Sequence, residues 1–196
     1  MNILILTGSP RKNGNTDMLA KAFADGASSK GHNVDTISVG NVNVSPCMGC
    51  NRCFANEKME CVQNDDMQGI YERMKCADML VIASPMYFYS ISAQLKAIID
   101  RCHNPIRDTF KISKAALLLV GASSLPTLFD AALAEYKLCI GYFNIEDAGH
   151  ILVRGMKEKG DIRNTDALKQ AYAFGESMSG LPAGHPSQSG CGHGDV

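Results

Sequence analysis

Nowhere does the sequence hold about 18 consecutive apolar residues, and no basic segment stands ahead of a long apolar stretch near its start. Those absences exclude a readable transmembrane helix or secretion signal, so a cytoplasmic location is the expectation. Charge of one sign is lacking too. Lys and Arg number 19 against 20 Asp and Glu, a formal net charge of −1, with no long run of either sign. Nothing marks a binder of nucleic acid or of a membrane surface, and the partner to expect is a small molecule or another protein. No internal repeat is visible.

Two common nucleotide signatures are missing as well. A nucleoside-triphosphate loop needs four residues between its glycines and then Lys-Ser or Lys-Thr, whereas five residues separate Gly8 from Gly14 and Asn15 stands in place of the lysine. The dinucleotide fingerprint Gly-x-Gly-x-x-Gly is also absent, so a pyrophosphate on this helix is not indicated.

What is present is Gly8-Ser-Pro-Arg-Lys-Asn-Gly-Asn-Thr16, lying between the apolar run Ile3 to Leu6 and the helix-like stretch Asp17 to Phe23. Strand, polar glycine-bearing loop and helix in that order make a phosphate socket. Backbone N–H groups and the free donors of a first helical turn point at one spot, and the helix dipole favours an anion there. Ser9, Asn15 and Thr16 add side-chain donors. An ordinary polar βα turn is the competing reading of this loop alone.

At 196 residues the chain is about one domain. Apolar runs that read as buried parallel strands recur at 2–7, 33–39, 78–83, 115–121 and 148–153. Stretches with helical spacing lie at 16–30, 65–76, 91–102, 126–141 and 164–178. Such alternation predicts an α/β fold with a parallel sheet covered on both faces. In a sheet ordered 2-1-3-4-5, the loops Gly8 to Thr16, Ser84 to Ser90 and Gly121 to Ser124 would converge on one crevice. The expected organisation is a domain over 1–179, with an unusually long connection at 40–64, and a flexible polar tail over 180–196.

Eight cysteines in a chain expected to be cytosolic do not read as a disulfide framework. Four of them crowd into residues 47–61, which points to a metal cluster or a redox role. Cys76 and Cys139 read as core residues, and Cys102, beside Arg101 and His103, as a thiol with some prospect of redox reactivity. His185, Cys191 and His193 in the tail read as flexible polar residues before they read as metal ligands. His32 and His150 read as structural or solvated. Asp65-Asp66 reads as the start of a helix, with Asp65 as its cap.

The phosphate-type loop, together with Ser84-Pro-Met-Tyr-Phe-Tyr-Ser-Ile-Ser-Ala-Gln-Leu-Lys-Ala-Ile-Ile-Asp-Arg101, resembles the flavodoxin-like NAD(P)H-dependent FMN reductase family over about residues 1–178. Lys157 to Ile162 is similar to the same family. Cys47-x2-Cys50-x2-Cys53-x7-Cys61 resembles the compact motif of its iron–sulfur flavoprotein branch.

The resemblance implies a flavodoxin-like three-layer sandwich with FMN held at the strand C-termini. Ser9, Arg11, Asn13, Gly14, Asn15 and Thr16 would hold its phosphate. Pro85, Met86, Tyr87, Phe88 and Ser90 would border the ring, and Gly121 and Ser123 its far edge. A large, flat, mostly apolar ring suits a Pro-x-aromatic wall whose backbone amides reach the ring heteroatoms.

For Cys47, Cys50, Cys53 and Cys61 three readings stay open: a [4Fe–4S] cluster, a cluster-free thiol loop, and zinc or another metal. A cubane needs four thiolates around one core, and Gly49 lets the chain turn between them. With a cluster, the implied activity couples FMN to single-electron transfer, with NAD(P)H or ferredoxin as donor. Without one, it is an NAD(P)H-dependent reductase of FMN or quinones. A redox- or metal-sensing binding protein and a purely structural α/β interaction module are the other classes. The resemblance further implies a homodimer or homotetramer, with helix 91–102 and loop 40–64 as candidate contacts.

Overall fold

In the computed structural model, which describes residues 1–179, the five apolar runs form one parallel sheet in the order β2-β1-β3-β4-β5. The strands are β1 (Asn2–Thr7), β2 (Asn33–Ser38), β3 (Met79–Pro85), β4 (Lys114–Val120) and β5 (Glu146–Val153). The expected order is therefore the observed one. Period-two alternation divides the apolar residues between two cores. Ile3, Ile5, Val81 and Leu118 face α1 (Asn15–Ser29) and α6 (Ala167–Glu176). Leu4, Leu6, Ile82 and Leu117 face α3 (Met67–Cys76), α4 (Ala93–Arg101) and α5 (Asp130–Tyr142). Burial on both faces is why these strands read as continuous hydrophobic runs.

Helices α1 and α6 approach at backbone contact. A Cβ on Gly26 would lie 2.0 Å from the Tyr172 carbonyl oxygen, and one on Gly175 would lie 2.1 Å from that of Phe23. Nearby, His32 receives the N-terminal amine at Nδ1 (3.3 Å) and meets the Met178 carbonyl at Nε2 (2.8 Å), a structural bridge as expected. His150 lies exposed on β5.

The boundaries differ from the spacing for local reasons. Residues 126–141 do not form one helix. Pro126 opens a 3-10 turn (Pro126–Phe129), and α5 starts only at Asp130. Helix α4 begins at Ala93, where the Ser92 hydroxyl accepts from the Leu95 amide. The long connection carries a short helix, α2 (Arg52–Ala55), that periodicity over four residues could not reveal.

Helix α3 begins at Met67. Asp65 Oδ1 accepts from the Met67 amide (3.2 Å), and Asp66 accepts from the Asn43 amide (2.6 Å), so both acids are structural. Among the described residues no helix is long and apolar enough to cross a membrane. His185, Cys191, His193 and the rest of the expected tail lie outside the described residues.

Candidate functional site

Strands β1, β3 and β4 end at the same sheet edge, and their ladder runs one residue further into the loops. The Gly8 amide donates to the Ala83 carbonyl (2.7 Å), Met86 to Val120 (2.8 Å) and Gly121 to Val153 (2.8 Å). Three loops therefore leave the edge side by side. Gly8 packs so tightly on the start of α4 that a Cβ would lie 2.8 Å from both Ser92 Oγ and Leu95 Cδ2.

Beyond it, Ser9 Oγ accepts from the Arg11 amide (3.2 Å) and donates to the Arg11 carbonyl (3.1 Å), folding the loop back on itself. Gly14 enters α1 extended, and no side chain caps that helix. Its first-turn N–H groups face the loop without a side-chain acceptor, as an anion socket requires. Thr16 is buried there, while Arg11 and Lys12 are exposed and enter no ion pair among the described residues. Burial raises the Asp17 carboxyl above the usual carboxylate range, against the opposing pull of the Gly14 and Asn13 amides and of Lys159.

Asn15 is placed differently from a simple phosphate ligand. Its Nδ2 donates to the Glu158 carbonyl (2.8 Å), and its Oδ1 accepts from the amides of Gly160 (2.8 Å) and Ile162 (3.4 Å). The side chain thus ties the 158–162 loop to the socket, and its backbone N–H is what it presents at the helix start. Sequence spacing held no signal for that tie.

After Pro85 and Met86, Tyr87 and Ser90 exchange two backbone hydrogen bonds (2.9 and 3.2 Å) around Phe88 and Tyr89, whose φ values are +49° and +68°. This is a two-residue turn of the primed type, usually built from Asn and Gly. Aromatic residues hold it here, and Phe88 stands 96% exposed. On the next loop, Ser123 Oγ accepts from the Leu125 amide (3.1 Å). Arg154, unnoticed in the sequence, donates to the Leu125 (3.0 Å) and Pro126 (2.7 Å) carbonyls and lies over the Phe129 ring at 4.8 Å.

Cys47, Cys50, Cys53 and Cys61 line a single pocket with Tyr71, Arg101, His103 and Asn104. Asn56 closes the 52–60 segment between Cys53 and Cys61. The side-chain amide of Asn56 donates to the Arg52 and Glu60 carbonyls (2.9 Å each), and its Oδ1 accepts from the Glu60 amide (3.0 Å), which brings Cys61 back toward the other three. Phe54 leans on His103 (5.5 Å), and His103 stacks on Tyr142 (5.9 Å).

The floor is a buried ion pair that the sequence did not disclose. Arg101 Nη1 donates to Asp65 Oδ2 at 2.5 Å, with side-chain exposures of 1% and 8%. Burial alone would raise the Asp65 pKa, but Arg101 and the Ser45 and Met67 amides outweigh it and hold the carboxyl below the usual range. Tyr71 donates to the Arg101 carbonyl (2.9 Å), and burial pushes its phenol up to about 12. Burial also raises the Cys53 thiol, and Cys61 and Cys47 add to the effect.

The remaining cysteines correct the sequence reading. Cys102 is buried, its thiol pushed up to about 12 by burial, so it lacks the thiolate character that reactivity needs. Cys76 and Cys139 are half-buried and not core residues. Among the described residues, no three His, Cys, Asp or Glu side chains are arranged to hold one metal ion.

The sheet order and the three loops at one edge are those of a flavodoxin-like flavoprotein. A model of the NADPH-dependent FMN reductase family matches residues 1–134, and the chain belongs to that family. An iron–sulfur flavoprotein of Methanocaldococcus jannaschii is 36% identical over 190 residues, covering 91% of this chain and 96% of the relative. Another, of Methanosarcina thermophila, is 38% identical over 125 residues, 63% of this chain and 64% of the relative. Within the family the chain falls in the branch that carries their name. An NAD(P)H:quinone oxidoreductase from Methanothermobacter marburgensis shares the fold with a TM-score of 0.73, at 21% identity over 90% of this chain and 96% of its own. The protein is a flavin-dependent oxidoreductase.

Proposed function

We propose that the protein is an electron-transfer flavoprotein that binds FMN at the sheet edge and a [4Fe–4S] cluster on Cys47, Cys50, Cys53 and Cys61, with NAD(P)H or ferredoxin as electron donor. The α1 N-terminus and the 8–14 loop hold the phosphate, using the backbone of Asn13, Gly14 and Asn15, the Thr16 hydroxyl and the exposed cations Arg11 and Lys12. Ser9 supports the loop from within, and Asn15 braces it against 158–162. Pro85, Met86, Tyr87, Phe88 and Ser90 border one side of the ring, and Gly121 and Ser123, steadied by Arg154, border the other. When bound, FMN supplies both hydride and single-electron chemistry.

The observation that carries the cluster reading is the gathering of four thiols around one pocket with a cation in its floor. Burial, with Cys61 and Cys47 alongside, already raises the cost of ionising Cys53. All four become thiolates only against compensating positive charge. A structural zinc usually takes two well-separated pairs of ligands, whereas Cys47, Cys50, Cys53 and Cys61 run as one compact set. A cubane binds each thiolate at a different iron of one core. When bound, such a cluster supplies one-electron transfer.

The shape of the surface supports self-association. Leu138 and Tyr142 on α5 and Phe88 on the aromatic turn are exposed apolar groups. The deciding experiment is purification without oxygen, followed by visible spectra before and after dithionite, with iron, sulfide and flavin quantified together. About four irons and four sulfides per FMN are expected. Flavin bands alone would overturn the cluster and leave an NAD(P)H-dependent reductase of flavins or quinones.

A further inference from the structure

Arg101 is more deeply buried than any thiol of the cysteine pocket, and much of its hydrogen-bonding capacity is idle. Nη1 serves Asp65 (2.5 Å) and the Ser45 carbonyl (3.3 Å). Nε and Nη2 are buried with no hydrogen-bond partner among the described residues. A guanidinium presents five N–H donors in a rigid fork, and leaving a charged donor buried and unpaired is costly. The same side chain lines the pocket beside the four thiols, and Cys61 is close enough to favour its charged form.

We propose that Arg101 is the positioning residue for the iron–sulfur group: its free Nε and Nη2 donors serve the anionic sulfur of the cysteine pocket and set the group's reduction potential. The inference rests on the cluster reading above. A fixed positive charge and N–H donors at sulfur stabilise the more negative, reduced state over the oxidised one and raise the potential. Asp65 works against this by neutralising part of the charge. The pair is thus a divided device, with one face of the fork held by a carboxylate and the other left for sulfur. Lysine cannot take both tasks, because its ammonium is a point charge without the fork.

The test is a redox titration of anaerobically purified holoprotein, monitored by spectroscopy, with the rate of iron loss to a chelator measured on the same samples. Arg101→Gln is expected to keep FMN, shift the cluster midpoint to a more negative value and lose iron about tenfold faster. Arg101→Lys should restore part of the midpoint but less of the iron retention. Asp65→Asn should move the midpoint in the opposite direction, which a merely structural ion pair would not do.

An iron-loaded wild type whose Arg101→Gln variant keeps both midpoint and iron-loss rate overturns the inference alone. If that variant does not fold, unchanged midpoints in Arg101→Lys and Asp65→Asn overturn it equally. A wild type without iron overturns the cluster reading and this inference together.

Discussion

Asn15 and Gly160 lie 145 positions apart in the chain, yet the Gly160 amide donates to Asn15 Oδ1 at 2.8 Å. The carboxamide thereby joins the first loop of the fold to the last. Asn15→Ala removes this bond and those to Glu158 and Ile162, and leaves their backbone groups to find water. A loss of about 1–3 kcal/mol of stability is expected, read by urea unfolding. Asn15→Asp keeps the acceptor and adds negative charge at the socket. It should weaken FMN more than riboflavin in fluorescence titrations, because only FMN carries the phosphate.

Gly26 and Gly175 allow the α1 and α6 backbones to touch. Alanine at either position places a methyl about 2 Å from a carbonyl oxygen, and neither helix can yield without leaving the sheet. Each substitution should cost at least about 3 kcal/mol, at the upper end of overpacking effects. Gly69 is the internal control. It is also helical, within α3, but a Cβ there meets nothing within 4 Å. Gly69→Ala should stabilise by about 1 kcal/mol in the same unfolding assay.

The sheet was legible because each central strand is buried on both faces and needs an unbroken apolar run, as in Ile3 to Leu6 and Leu117 to Val120. Loop convergence followed from strand order. What stayed hidden is tertiary pairing of polar groups. Asp65 and Arg101 are 36 positions apart, and nothing in either local segment distinguishes a buried partner from a surface charge. Arg154 and the Asn15 carboxamide escaped for the same reason, since their partners are backbone carbonyls and amides that carry no sequence identity. Cys102 misled because adjacency to Arg101 and His103 in the chain says nothing of its burial.

The Asp65–Arg101 pair has a pH signature. Asp65 is held below its ordinary pKa in the folded state, so its contribution to stability is complete above the unfolded value of about 4. That contribution disappears as pH falls through the folded value, because protonation then leaves the buried guanidinium without its counter-charge. Wild-type unfolding free energy, measured by urea at steps from about pH 6 to about pH 3, should therefore fall more steeply than that of Asp65→Asn. Parallel curves would show that the pair does not govern acid sensitivity.

Thiol labelling separates the cysteines. Cys47 and Cys50 are exposed, whereas Cys102 is buried with its thiol pushed up to about 12. In cluster-free protein at about pH 8, iodoacetamide should modify the exposed Cys47 and Cys50 within minutes, and Cys53, whose thiol is raised, more slowly, because the thiolate is the reacting form. Cys102 should remain unmodified until denaturant is added. Peptide mapping by mass spectrometry reads both outcomes, and native-state alkylation at Cys102 would contradict the burial.

The turn at Phe88 and Tyr89 sets stability against binding. Both residues hold a positive φ, which costs a non-glycine residue of order 1–3 kcal/mol. Asn-Gly is the pair this turn favours. Phe88→Asn with Tyr89→Gly should therefore raise the stability of the flavin-free protein by about 1–2 kcal/mol, after allowing for the greater freedom of glycine in the unfolded chain. If the exposed aromatic pair borders the ring, the same variant should bind FMN and riboflavin more weakly by similar factors. Both molecules carry that ring, and only FMN carries the phosphate. Higher stability with lower affinity would mean that the strain is retained for flavin binding. Higher stability with unchanged affinity would confine this side of the ring's wall to Pro85, Met86, Tyr87 and Ser90, and would free Phe88, 96% exposed, for contact with a second subunit.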